Sequence, residues 1–449
     1  MTMTEPTPTV PALDLTPQDV TNLVDELRDY HAISSPLFQR REQRAWALTY
    51  LHGLLLDLER TSVEPMAIAL HGPHEKHVRA LQSFVNAGPW DDDAILRQHW
   101  QDVNTTLGAD DGVLLLDGSD FPKKGTESVG VQRQYCGQLG KRANCQAGVF
   151  LGYASAQGAT LLDRRLYLPQ SWVDDPAFAE RRQQCGIPAD VGFQTKNELG
   201  LDMIRSVVQA GTLRCRWLAA DEAFGRDTSL LDAVADLGLW YFVEVPHDTR
   251  IWPTQAASAP ISVLAACDDV RADEWACHTI TDGSNGPIIA DIVVQRVQAV
   301  RAGQRGPAVW LVLRWNPETG ELKTYLSNAP ADTPLATLVR MCGMRWPIET
   351  CFETGKHLLG MGEYELRSWR GWHHHMTLVI LAHFFLVRMQ GCMKKNAGAD
   401  GAAGAPAAGG RVATAGVRCG GGAGIAALCA TAQCRGGSGP SQAPGGMDS

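Results

Sequence analysis

Val113-Leu114-Leu115-Leu116-Asp117 is a short apolar run that ends on an acid, and the pattern returns at Trp217-Leu218-Ala219-Ala220-Asp221. Runs this short, without a helical period, read as strands buried on both faces. Between them, residues 146–154 and 160–168 fit two further strands and residues 196–210 fit a helix. A helix over 228–237 and a strand over 240–245 follow. Three strands, then helix, strand, helix, strand, predict an α/β fold built on a sheet of mixed direction.

Working outward, residues 1–105 read as a helical N-terminal region, with Leu48, Leu51, Leu55 and Leu58 at three- and four-residue steps. Asp91-Asp92-Asp93 after Pro89-Trp90 suits a helix start, where carboxylates face the positive end of the dipole. The first part of the core spans 106–249. Residues 250–335 are rich in short strand candidates (288–294, 308–315, 323–327), the last two joined by the turn Asn316-Pro-Glu-Thr-Gly320, and read as a β-rich insertion. A helical pattern resumes at about Leu335 and closes the core over 336–395. Residues 396–449 change character: 15 of 54 are Gly, 15 are Ala, and none is aromatic or Lys. Such a stretch buries too little apolar surface to offset its ordering entropy. It reads as a disordered tail, either native or GC-rich coding DNA in a shifted frame.

Composition narrows the function. Of 449 residues, 45% are hydrophobic and 20% charged, an ordinary globular balance. Lys+Arg 40 against Asp+Glu 49 leaves a net charge of -9, which excludes a simple DNA-coating protein; any nucleic-acid contact must come from local basic patches. The acidity sits at the front, where residues 1–110 hold 8 Lys/Arg and 16 Asp/Glu. Twelve cysteines show no C-x-x-C pair and no disulfide spacing. The first ten residues lack a signal-peptide pattern, and the apolar stretch 376–389, interrupted by His383, is short for a membrane span. The expectation is a cytoplasmic protein without a membrane.

Asp117 and Asp221 close two apolar strands, and Glu349 opens a later helix in Arg345-Trp-Pro-Ile-Glu349. Carboxylates delivered from strand ends and a neighbouring helix can converge at one sheet edge. Three hard oxygen ligands suit Mg²⁺ or Mn²⁺, and a pair of such ions roughly 3.5–4 Å apart can drive phosphodiester chemistry. Cys342, Arg345, Glu349 and Lys356 fall on one helical face, although Pro347 belongs in a first turn, so that Cys342, and Arg345 with it, could precede the helix proper. On that face Arg345 and Lys356 would hold phosphates while Glu349 holds metal; the plainer reading is a surface pair of Arg345 with Glu349.

The spacing R-x3-E-x6-K over Arg345, Glu349 and Lys356 resembles the Y-x2-R-x3-E-x6-K signature of insertion-sequence transposases with a DDE nuclease core. Asp117-Gly-Ser-Asp-Phe-Pro-Lys-Lys-Gly125, Ser128-Val-Gly-Val131, Gln134-Tyr-Cys-Gly137 and Gly140-Lys-Arg-Ala-Asn-Cys-Gln146 are similar to their first catalytic block. Leu166-Tyr-Leu-Pro169 with Trp172, and Leu218-Ala-Ala-Asp-Glu-Ala-Phe-Gly225, resemble the next ones. Cys342 stands where the signature has Tyr. The resemblance, over roughly residues 35–395, implies an RNase H-like fold with a β-rich insertion between the second Asp and the Glu. It implies Asp117, Asp221 and Glu349 as catalytic residues holding two Mg²⁺ (or Mn²⁺) ions. It also implies cleavage of double-stranded DNA at terminal inverted repeats, joining to target DNA, and a homodimer in the synaptic complex. A remnant that binds DNA without cutting it, or a host nuclease of the same fold, are the alternatives.

Basic residues agree with DNA as substrate: Lys123, Lys124, Lys141 and Arg142 in the first block, and Arg367 and Arg370 after the Glu helix. Trp369 and Trp372 are interleaved with the latter and could stack on a base or belong to the core. Glu353, one turn beyond Glu349, fits the spacing less well. Asp120 lies on the same strand as Asp117 and cannot share its target easily. His373-His374-His375 diverge on a helix and read as solvated or phosphate-facing rather than as a metal tract.

Overall fold

The computed structural model describes residues 17–283 and 286–400. Its centre is strand β1 (Val113–Pro122), whose first four residues are buried on both faces; the strand runs on past Asp117, which does not close it as expected, because pairing with β3 continues to Pro122. β2 (Gln132–Cys136) and β3 (Lys141–Ser155) form a hairpin, and β4 (Gly158–Tyr167) turns back on β3. β1 pairs antiparallel with β3 on one side and parallel with β5 (Trp217–Ala220) on the other. β6 (Trp240–Glu244) then adds parallel to β5. The order β4-β3-β1-β5-β6, three antiparallel strands followed by two parallel ones, is the RNase H-like arrangement.

The expected insertion does not form a separate sheet. Short β7 (Arg250–Trp252) and β8 (Ile261–Ser262) precede β9 (Ala276–Gly283), β10 (Gly286–Arg301), β11 (Gln304–Asn316) and β12 (Glu321–Ser327). β12 pairs with β6, so these strands prolong the central sheet to twelve.

Five helices, α1 (Pro17–Ser34), α2 (Arg41–Leu54), α3 (Val63–His71), α4 (Glu75–Ala87) and α5 (Asp92–Leu107), precede the sheet. Asp91 caps α5, accepting from the Ala94 amide at 2.9 Å, as its sequence foretold. Asp92 and Asp93 then pair with Arg164 of β4, which is only 1% exposed and also meets Asp163. His99 Nε2 lies 2.8 Å from the Leu161 carbonyl and the Trp100 indole donates to that of Leu162 at 3.1 Å, so α5 is fastened along β4. The later helices are α6 (Gln170–Asp174), α7 (Ala179–Gln184), α8 (Lys196–Ala210), α9 (Glu222–Gly225), α10 (Thr228–Asp236), α11 (Val263–Asp268), α12 (Leu335–Met341), α13 (Trp346–Leu358) and α14 (Trp369–Asp400). α8 carries a Thr195–Glu198 capping box. Its Gly200 lies so close to β1 that an added Cβ would stand 2.8 Å from the side chain of Leu116, the residue before Asp117.

α14 is apolar around its circumference because it runs through the core between β4 and α2, α4 and α5. Trp369–Cys392 is long and apolar enough to cross a membrane, but 72% of that window is buried inside the protein. The helix continues to Asp400, past the point where the Gly/Ala-rich stretch begins. The rest of that stretch, 401–449, lies outside the described residues.

The histidine run is a correction. His373, His374 and His375 are 8%, 1% and 0% exposed, neither solvated nor facing phosphate. Their Nδ1 atoms meet the Trp369 carbonyl (2.9 Å), the Val85 carbonyl (3.0 Å) and the Tyr50 hydroxyl (2.8 Å). His373 is met by its own helix, His374 by α4 and His375 by α2, so all three rings are satisfied inside the fold. Burial pushes His373 and His375 down to about 3, and His374, His99 and His383 to about 4. These groups stay neutral in the fold while the unfolded chain takes up protons below about pH 6.5. Their contribution to stability is therefore complete above that pH and is lost as pH falls towards 4, by about 1.4 kcal/mol per pH unit for each histidine. Denaturant midpoints measured from pH 7 to 4.5 should fall steeply. His383→Asn should flatten the fall; an unchanged slope would refute the assignment.

Candidate active site

The register of three parallel strands builds the site. Leu116 of β1 pairs with Ala220 of β5, and Ala220 pairs with Val243 of β6. The next residue in each strand direction is acidic: Asp117, Asp221 and Glu244. In parallel strands at matched register, neighbouring side chains point to the same face about 4.8 Å apart. Register thus sets Asp117, Asp221 and Glu244 at one level on three neighbouring strands.

Asp221 also starts α9, its Oδ1 accepting from the Ala223 (3.0 Å) and Phe224 (3.3 Å) amides. Gly225 at the end of α9 lets that turn rest on β6, since an added Cβ would lie 2.0 Å from the Glu244 carbonyl oxygen. Glu349 arrives from α13, whose N-cap is Arg345 and whose first turn holds Pro347. Cys342 is not on that helix: it caps α12, is buried, and its thiol lies 3.5 Å from the Leu338 carbonyl.

Arg345 closes the arrangement. Its Nη1 donates to Asp117 Oδ2 at 3.2 Å and its Nη2 pairs with Glu349. Burial opposes the charge of Arg345, but Glu349, Asp117, Glu244 and Asp221 together outweigh it and keep the guanidinium firmly protonated. Asp117 also accepts from the Gly118 amide at 2.7 Å. Its carboxyl is raised to about 7, first by burial and then by Asp221, against the pull of Arg345. A carboxylate this crowded is the electrostatic mark of a site made for more positive charge than one guanidinium supplies.

Among the described residues no three His, Cys, Asp or Glu side chains stand as a ready-made ion cage. The geometry explains this: Arg345 bonds both Asp117 and Glu349, and Asp221 Oδ1 is turned onto its own helix. The donor set nevertheless fits a hard divalent cation, being carboxylates on rigid elements at one edge. Asp117, Asp221 and Glu349 are the residues that would hold it.

Glu244 is the acid the sequence reading missed. Its signal is the same as for the other two, an apolar run ending on an acid at Tyr241-Phe-Val-Glu244, but Val245 extends the run and hides the strand end. Lys323 of β12 pairs with it at 3.3 Å.

The expected phosphate-binding residues divide into groups. Lys356, seven residues past Glu349, reaches the Asp120 carbonyl (3.3 Å) and Gln138 Oε1 (3.4 Å). Asp120, three residues past Asp117, accepts from the Gly137 amide at 2.6 Å and takes no part in the acid row. Lys123, Lys124 and Arg367 line a cleft of about 760 Å³ with Arg60 and Tyr364. In it Lys123 lies 3.4 Å over the Tyr364 ring, and burial lowers its amine to about 8. Lys141 and Arg142 are exposed on the β2–β3 hairpin, and exposed Arg370 donates to the Ala87 carbonyl at 3.3 Å. Trp372 cannot stack on a base: it is fully buried against Phe150 and donates to the Tyr364 hydroxyl at 3.2 Å. Trp369 is half-buried, its ring 4.4 Å from that of His373.

A family model described as DDE superfamily endonuclease matches residues 35–262, half of the chain. The chain belongs to this superfamily. The matched segment contains Asp117 and Asp221; Glu349 and Arg345 lie beyond it. The probable transposase of insertion sequence element IS701 from Microchaete diplosiphon is 26% identical over 214 residues, 46% of this chain and 51% of that protein. The chain thus spans about half the length of this curated relative. The piggyBac transposase in its synaptic complex with hairpin DNA, solved by cryo-EM, superposes with a TM-score of 0.39 at 10% identity, over 92% of this chain and 77% of that one.

In this DDE endonuclease chain, removing the guanidinium leaves Asp117 and Glu349 facing each other without a counter-charge. Arg345→Met should cost about 1–3 kcal/mol in unfolding free energy. Millimolar Mg²⁺ should raise the melting temperature of the variant more than that of the wild type, because the cation takes over the lost charge. Equal shifts in the two proteins would show that the acids do not converge on a cation.

Proposed function

We propose that the chain is a DNA transposase that cleaves DNA strands at the ends of its element and joins them to a target, in a Mg²⁺-dependent reaction. The observation that carries this reading is Asp117 in mid-β1 beside Asp221 just past β5, tied to Glu349 through Arg345. Membership in the DDE superfamily supports it, as does the likeness to an insertion-sequence transposase.

Asp117, Asp221 and Glu349 would hold two divalent ions, Mg²⁺ or Mn²⁺. Such ions, when bound, lower the pKa of an attacking water or hydroxyl and stabilise the leaving oxygen. Asp117 and Asp221 are fixed by strand register and Glu349 by the first turn of α13, so their spacing is set by the scaffold rather than by the substrate. Arg345 neutralises the acids before substrate arrives. Its planar fork would also suit a DNA phosphate at this site. Lys356, one face along the same helix, would hold a second phosphate, and Lys123, Lys124, Arg367 and Arg370 would guide the flanking duplex. Double-stranded DNA carrying the terminal inverted repeats and target DNA are the partners on this reading. A homodimer would join two ends in the cytoplasm.

Asp117→Asn, Asp221→Asn and Glu349→Gln should each lower Mg²⁺-dependent nicking of plasmids bearing the element ends by at least roughly 10²–10³-fold. Melting temperature and DNA affinity should stay near those of the wild type. Full nicking activity in any of the three would remove that residue from the site.

A further inference from the structure

Trp372 is buried and cannot reach a base, whereas the β2–β3 hairpin carries an aromatic that faces solvent. Tyr135 is 65% exposed and Leu139, at the turn, 45%. Register pairs Tyr135 with Arg142, and Arg133 lies two residues before Tyr135, so Arg133, Tyr135 and Arg142 share one face. Lys141 follows the turn. Residues 128–162 contain no acid, on a chain of net charge -9. Among the described residues no carboxylate pairs with Arg133, Lys141 or Arg142 at the distance of the ion pairs found elsewhere.

The other face roots the hairpin. Cys136 and Cys145 are fully buried, and Gln134 donates to the Cys145 carbonyl at 3.1 Å. The turn is tied to the site at two points, Gly137 N to Asp120 Oδ2 (2.6 Å) and Lys356 Nζ to Gln138 Oε1 (3.4 Å). Asp120 follows Asp117 on β1, and Lys356 follows Glu349 on α13. The turn therefore hangs from the two elements that deliver the first and last acids. Single exposed apolar residues are commonplace. An exposed Tyr and Leu, flanked by three unpaired cations and anchored beside the acid row, form a built surface.

We infer that this hairpin is a strand-separating wedge for duplex DNA. Arg133, Lys141 and Arg142 grip backbone phosphates, while Tyr135 and Leu139 enter the stack at the end of the duplex and hold its terminal base apart. The inference rests on the reading of the chain as a DNA-cleaving enzyme.

The test uses the full chain and a blunt, labelled duplex of arbitrary sequence, with 2-aminopurine at its last base pair. Affinity is read between about 50 and 200 mM salt, and unstacking is read as the rise in 2-aminopurine fluorescence. Exchanging Arg133, Lys141 and Arg142 together for Gln should reduce the salt slope of log K by about 3. Tyr135→Ala with Leu139→Ala should keep the slope and lose the fluorescence rise, and Tyr135→Trp should retain it. If the wild type binds and either multiple variant behaves like it, the wedge is refuted while the DNA reading stands. If the wild type shows no salt-dependent binding of the duplex, the DNA reading itself falls, and the wedge with it.

Discussion

One guanidinium among four carboxylates governs the candidate site of this molecule. Parallel register brings Asp117, Asp221 and Glu244 side by side, and α13 adds Glu349. Left alone, such a row would repel itself apart or take up protons. Arg345 prevents this by bonding Asp117 and Glu349 directly while lying in the field of the other two. Arg345 thereby links β1 to the first turn of α13 through Asp117 and Glu349.

A second arginine, this one fully buried, plays the corresponding structural part. Arg164 on β4 gathers Asp92 and Asp93 from α5 and Asp163 from its own strand. A buried guanidinium needs several acceptors to compensate its lost hydration. Supplying them from α5 fixes the N-terminal helices to the antiparallel side of the sheet. α14 completes that side, with its histidines held neutral against Val85, Tyr50 and Thr160. The parallel side, free of these helices, carries the acid row and the strands that continue from β6.

Much of the fold was legible locally. The strand Trp217–Ala220 and the helix Lys196–Ala210 fall on the residues expected of them, and α12 starts at the expected Leu335. In each case the signal is short-range: an apolar run stopped by an acid, or a capping box followed by a helical period. Glu349 was legible because its spacing to Arg345 and Lys356 lies within one helix. Glu244 was not, because the end of its strand depends on pairing with β12, residues away in sequence. The histidines misled for a related reason. Three polar residues in a row look solvated, and only the packing of α2 and α4 against α14 shows that His374 and His375 have buried partners. The β-rich stretch was recognised as strands, but nothing local says whether strands join an existing sheet or form their own.

The sequence by itself determined the kind of elements, their order, and which acids and bases are available at their ends, since these follow from periodicity and turn chemistry within some ten residues. Only the tertiary structure decided which carboxylates share a sheet edge, which cation lies among them, and which aromatic rings face water. Those outcomes depend on register and on close approach, such as Gly200 against Leu116 and Gly225 against Glu244. Both join residues that are remote along the chain, and hydrogen-bond geometry and excluded volume set their meeting only once the sheet has formed.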